Sequence, residues 1–96
     1  MVSEKIRKIE GQIMEEVQGS QEYLRCYDKW SNVDKKISSM YKEMSEQELG
    51  HAENLNVILD SLKIHEDYSD HADIIEFLVD MNKDLIRESK MMFNSI

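Results

Sequence analysis

Apolar residues recur in steps of three and four along most of the chain, the period of a single helix face. The first stripe reads Ile6, Ile9, Ile13, Glu16, Ser20, Tyr23, Tyr27, Trp30, with Val17 and Leu24 widening it. It predicts a helix over about 3–30, with Ser3 as the N-cap and Glu4 favourably placed in the first turn. Ser31 and Asn32 favour a turn and break the pattern. A second helix is expected over about 33–62, its seam running Val33, Ile37, Met40 or Tyr41, Met44, Glu48, His51, Leu55, Ile58, Leu62. Lys35, Lys36, Lys42, Glu43, Glu46, Gln47, Glu53 and Asn54 form its solvated outer face. Lys63 to Tyr68 reads as a connection. Ser69 is the expected N-cap of a third helix over about 70–93, with Asp70 and Asp73 in its first turn. Its apolar face carries Ile74, Ile75, Leu78, Val79, Leu85, Ile86, Met92 and Phe93, interrupted by Asn82 and Ser89. No alternating strand pattern, internal repeat or linker is evident. The expected fold is all-α: a long antiparallel hairpin plus a third helix, residues 1–96 as one domain.

The seams contain residues that do not belong there. Glu16 and Ser20 interrupt the first, and Glu48 and His51 interrupt the second. A short turn makes the two helices antiparallel neighbours, so residues whose numbers add to about 64 share one height. Glu16 then comes level with Glu48, Ile13 with His51, and Tyr23 with Tyr41. A lone carboxylate in an apolar seam costs several kcal/mol unless it is paired or binds a cation. No Lys or Arg lies on either stripe. Glu48 and His51 are three apart and point to one side of their helix, where they can share a metal ion. Two carboxylates and an imidazole suit iron, manganese or zinc. A four-helix di-metal site takes a Glu from each of two helices and a Glu-x-x-His from each of the other two. One chain carries half of that set, and a two-fold homodimer, or a higher homo-oligomer, supplies the rest.

Composition narrows the partners. The 96 residues include no Pro and only three Gly, as long helices require. Gly11 and Gly19 each weaken the first helix by roughly 1 kcal/mol relative to Ala, and Gly19 is placed to allow a close helix approach. The formal charge of −8 disfavours nucleic acid and anionic membrane surfaces. No apolar run reaches the ~18 residues of a membrane span. The N-terminus does not resemble a signal peptide, and the lone Cys26 fits a reducing, cytoplasmic setting.

Glu16-x6-Tyr23 followed by Glu48-x-x-His51 resembles the ferritin-like di-iron superfamily, in particular encapsulated ferritins and short phage-type ferritin-like proteins. The likeness covers roughly residues 13–60. It implies a hairpin that dimerises into a ferritin-like four-helix bundle with a di-iron ferroxidase centre between chains. Glu16, Glu48 and His51 would be the iron ligands, Tyr23 a neighbouring group behind them, and Glu15 an outer acid that gathers metal. Lys90 to Ile96 does not resemble a cargo-loading peptide, which argues against an encapsulin shell as partner.

Plainer readings stand beside these. Glu16, Glu48 and His51 could form a metal-free polar cluster that fixes register, in a helical interaction or structural module. Tyr27, Trp30 and Tyr41 read as packing residues, and the methionines as adaptable core. His65 and His71 read as solvated. If the third helix runs antiparallel to the second with numbers adding to about 130, Asn82 comes level with Glu48.

Overall fold

The computed structural model describes residues 3–95. Met1, Val2 and Ile96, the last of them the end of the tail read against a cargo peptide, lie outside the described residues. Three helices carry the fold: α1 (Glu4–Trp30), α2 (Lys35–Ser61) and α3 (Ala72–Asn94). The described residues contain no strand.

Ser3 caps α1, its hydroxyl accepting from the Ile6 N–H at 3.3 Å. α1 ends where the N–H groups of Val33 and Asp34 both donate to the Trp30 carbonyl. α2 begins at Lys35 rather than Val33, because Asp34 is its cap: one carboxylate oxygen accepts from Lys36 N at 2.9 Å and Ile37 N at 3.1 Å. The connection to α3 is more regular than expected. It forms two short 3-10 helices, Leu62–Ile64 and Glu66–His71. Ser69 does not cap α3. Its hydroxyl donates to the Glu66 carbonyl, and α3 starts at Ala72 with no side-chain cap.

α1 and α2 pack along their whole length as an antiparallel hairpin, and α3 lies in the groove on one side of it. The core joins Ile6, Ile13 and Val17 of α1, Ala52 and Leu59 of α2, and Ile75, Val79 and Ile86 of α3. The buried face of α2 is Ser38, Ser45, Leu49, Ala52, Asn56 and Leu59. That corrects the expected seam by one residue, or about 100° of helix. Small side chains decide the matter. Ser45 donates to the Ser20 carbonyl at 2.8 Å, and the two hydroxyls meet at 2.9 Å, so α1 and α2 approach closely with both hydroxyls satisfied. Of the expected seam, Met40 is left 56% and Ile58 50% exposed, while Leu55 and Leu62 still pack partly against the core.

Asn82 also sits elsewhere than expected. It is fully buried and level with Asn56, not with Glu48. Its amide donates to Asn56 Oδ1 at 3.0 Å and to Glu10 Oε1 at 2.6 Å, while Asn56 donates to the Val79 carbonyl at 3.1 Å. One polar layer therefore ties α3 to both hairpin helices. Lys90 pairs with Glu53 at 2.7 Å farther along the same side. Near the hairpin turn, Lys42 Nζ lies 5.8 Å from the Tyr27 ring centroid and 5.5 Å from that of Phe93, close enough for a cation–π contact with each.

The product is a rod of 53 × 20 × 18 Å with a radius of gyration of 15.7 Å. A rounded domain of this size would have about 13 Å. No described helix is long and apolar enough to cross a membrane.

Candidate metal centre

The close Ser20–Ser45 contact sets the height of α2 against α1. It brings Glu48 and His51, one turn apart on α2, opposite Glu16 on α1. Ligand atoms from these three residues all lie within 4.8 Å of one another. The cluster sits on the side of the hairpin that α3 leaves uncovered. His51 is 58% exposed, whereas Glu16 is 27% exposed.

The cluster is electrostatically incomplete. His51 Nδ1 approaches Glu16 Oε2 at 3.5 Å, too far for a good hydrogen bond. Glu16 Oε2 is itself buried without a hydrogen-bond partner. No Lys or Arg among the described residues pairs with Glu16 or Glu48. Glu48 therefore holds its proton more tightly than an ordinary carboxyl. The chief cause is a hydrogen bond shared with Glu16, followed by burial and by the Glu16 charge, with His51 pulling the other way. A proton on Glu48 therefore relieves part of the repulsion, and a cation that binds here has to displace it. Two carboxylates, one of them with an orphaned oxygen, and an imidazole facing one small space fit an iron, manganese or zinc ion.

The neighbours of the cluster are apolar or aromatic. Tyr23 lies two turns from Glu16 on the same stripe and packs on Tyr41, with ring centroids 6.2 Å apart and planes at 33°. Ile37, Met40, Tyr41 and Met44 line a shallow apolar depression on this side. Glu15 is exposed next to Glu16, and Cys26 is a free, half-buried thiol. His65 lies exposed and His71 half-buried in the connection between α2 and α3, apart from the cluster.

Two features of this region carry only a partial signal in the sequence. Gly19 is a place of close approach, and what approaches is Glu48: a Cβ built on Gly19 would stand 3.1 Å from Glu48 Oε2. Ser20 is a break in its apolar stripe, and the same height rule that pairs Tyr23 with Tyr41 pairs it with Ser45.

A helical hairpin presenting a Glu opposite a Glu-x-x-His defines a ferritin-like protein with a carboxylate–histidine cluster. The chain matches the rubrerythrin family model over residues 9–92 and belongs to that family, within the ferritin-like di-iron superfamily. Members of the family typically bind iron, and the ligand candidates in this chain are Glu16, Glu48 and His51. No curated protein and no solved structure matches the chain.

Proposed function

We propose that two copies of this chain bind two Fe(II) ions between them through Glu16, Glu48 and His51 of each, and oxidise them with dioxygen. The observation that carries this reading is the convergence of ligand atoms from three residues, one of which, Glu16, has an orphaned buried oxygen, on a side of the hairpin that α3 leaves open. A single chain offers three ligands. A second copy related by a two-fold axis brings its own three, and its apolar stripe covers Ile37, Met40, Tyr41, Met44, Leu55 and Ile58. Manganese or zinc fits the same ligand set, and elemental analysis of protein purified without added metal distinguishes them.

When bound, an Fe(II) pair supplies the electrons that dioxygen takes up. The chain's own part is to hold and shield. Glu48 gives up the proton it holds toward Glu16, and both side chains present carboxylate oxygens. His51 offers one ring nitrogen, and an acceptor for its other N–H would fix the ring. The apolar stripe, once covered, excludes water and strengthens the field between ions and carboxylates. The rod shape alone encloses no space for a mineral, so the reading is oxidation and handling of iron rather than storage by a dimer.

The test is anaerobic titration of the purified protein with Fe(II), followed by admission of dioxygen. Two ions per dimer and oxidation well above the buffer rate are expected. Glu48→Ala and His51→Ala should each abolish both while helical content stays. Absence of bound iron together with oxidation at the buffer rate would leave the metal-free module as the correct description.

A further inference from the structure

We infer that Gly19 is a positioning residue for the metal centre: its missing side chain is the space through which Glu48 reaches Glu16. The inference rests on the metal-binding reading of Glu16, Glu48 and His51. Gly19 stands one turn beyond Glu16 on the same face of α1. The outer half of the Glu48 side chain lies directly over it. A Cβ at position 19 would meet Glu48 Oε2 at 3.1 Å, Cδ at 3.7 Å and Cγ at 3.8 Å. The last two are ordinary contacts, but the first is tight. The atom that must yield is a carboxylate oxygen whose place decides whether Glu48 and Glu16 share one ion.

The other two glycines make the contrast. A Cβ on Gly11 or on Gly50 would meet nothing within 4 Å. All three glycines lie inside helices, where Gly is a poor choice relative to Ala. Only at position 19 does the fold offer a reason for it. None of the three has a positive φ, so backbone conformation does not demand glycine at any of them. The demand at Gly19 is for room, and what fills the room is a ligand side chain.

Metal geometry makes that room matter more than it would for a structural contact. Ligand atoms sit within narrow distances of the ion, and changes to the groups that orient ligands commonly cost 10–100-fold in metal affinity. A carboxylate displaced by a few tenths of an ångström can still be solvated in the metal-free protein. It cannot keep the same bond length to an ion held by Glu16 and His51. Gly19→Ala is therefore expected to separate two properties that usually fall together. The helix gains and the site loses.

The experiment compares wild type with Gly11→Ala, Gly50→Ala and Gly19→Ala, reading Mn(II) affinity from the loss of the free-ion EPR signal and metal-free stability from thermal melting. Gly11→Ala and Gly50→Ala should melt about 4 °C or more above wild type and bind Mn(II) unchanged. Gly19→Ala should melt no lower than wild type without metal, yet bind Mn(II) at least about 10-fold more weakly. A second pair guards against a general disturbance of the hairpin. Glu48→Asp shortens the side chain, so its carboxylate no longer passes over position 19. It should weaken binding by itself, and adding Gly19→Ala to it should cost nothing more. Gly19→Ala binding Mn(II) as tightly as wild type, or the two changes weakening it multiplicatively, would overturn the assignment of Gly19 alone. Wild type that binds no Mn(II) and no Fe(II) would overturn the metal centre, and this role with it.

Discussion

The two sides of the α1–α2 hairpin each carry a partly buried carboxylate, and they treat it differently. On the side that α3 covers, Glu10 accepts a hydrogen bond from the buried Asn82 amide, which also donates to Asn56, although Asn82 Oδ1 has no partner of its own. On the open side, Glu16 keeps a buried oxygen without a partner, beside a second carboxylate. Glu10 also holds its proton more tightly than usual, but there the cause is burial, and the Asn82 amide works against it. Glu48 does so chiefly because another carboxylate shares its proton. A polar residue that the fold supplies with a donor stabilises a particular docking of helices. A carboxylate pair with no basic partner is the arrangement that the proposed metal site requires. On that reading the covered side is architecture and the open side is chemistry.

That division can be broken experimentally. The largest stability effect should come from Asn82→Ala, which removes the amide joining three helices and leaves Glu10 and Asn56 without their donor. A loss of about 3 kcal/mol in urea unfolding is expected, because buried polar groups stripped of partners cost 1–3 kcal/mol each. Mn(II) affinity of the molecules still folded should not change. Weakened binding by folded Asn82→Ala protein would mean that the two sides are one system.

Next in size is stabilisation by metal. At a free ion concentration about 100 times the dissociation constant, bound ion should add about 2.7 kcal/mol per site. The combined Glu16→Gln, Glu48→Gln, His51→Gln protein should lose that response entirely while melting at or above the metal-free wild type. If it melted far below, the cluster would be holding the fold together, as Asn82 does. Ser45→Ala should cost about 1 kcal/mol by removing the hydrogen bond to the Ser20 carbonyl, and should loosen the height match that aligns Glu48 with Glu16.

The smallest effect is a change of sign with pH. Glu10 and Glu48 both have folded-state affinities for protons raised above the unfolded ones. Each therefore contributes stability that is complete below the ordinary glutamate range and is lost as pH rises through the folded value. Metal-free protein should lose a little stability as pH rises from about 4 through the region just above the normal carboxyl range. With Mn(II) present the open side should reverse, because binding releases the proton of Glu48 and strengthens as pH rises. Urea unfolding at several pH values, with and without Mn(II), reads both slopes. Identical slopes would remove the distinction between the two carboxylate environments.

The periodicity of apolar residues made the three helices legible, and the polar intrusions at Glu16, Glu48 and His51 made the cluster legible. The height rule worked because a short turn leaves an antiparallel pair little freedom to slide. Tyr23 against Tyr41 and Ser20 against Ser45 lie at the heights it gives. It failed for α3, where the connection is long and forms two 3-10 helices whose length no periodicity announces. Asn82 consequently came out level with Asn56. The seam of α2 was misread for a different reason. Ile37, Met44, Leu55 and Ile58 form the more apolar stripe, but burial went to Ser38, Ser45, Ala52 and Asn56 beside it. Helix contacts follow how closely backbones can approach as well as hydrophobicity.

By itself the sequence determined that the chain is helical, where its helices break, and that two carboxylates and a histidine stand at one height without a basic residue near them. Those are properties of local period and short turns, which a chain carries wherever it is placed. Only the tertiary structure decided which face of α2 is buried, that Asn82 belongs to Glu10 rather than to the cluster, and that Glu48 reaches Glu16 across the space above Gly19. Each of these depends on the rotation and spacing of helices packed against one another. Small residues and buried amides set them through contacts between positions far apart in the chain.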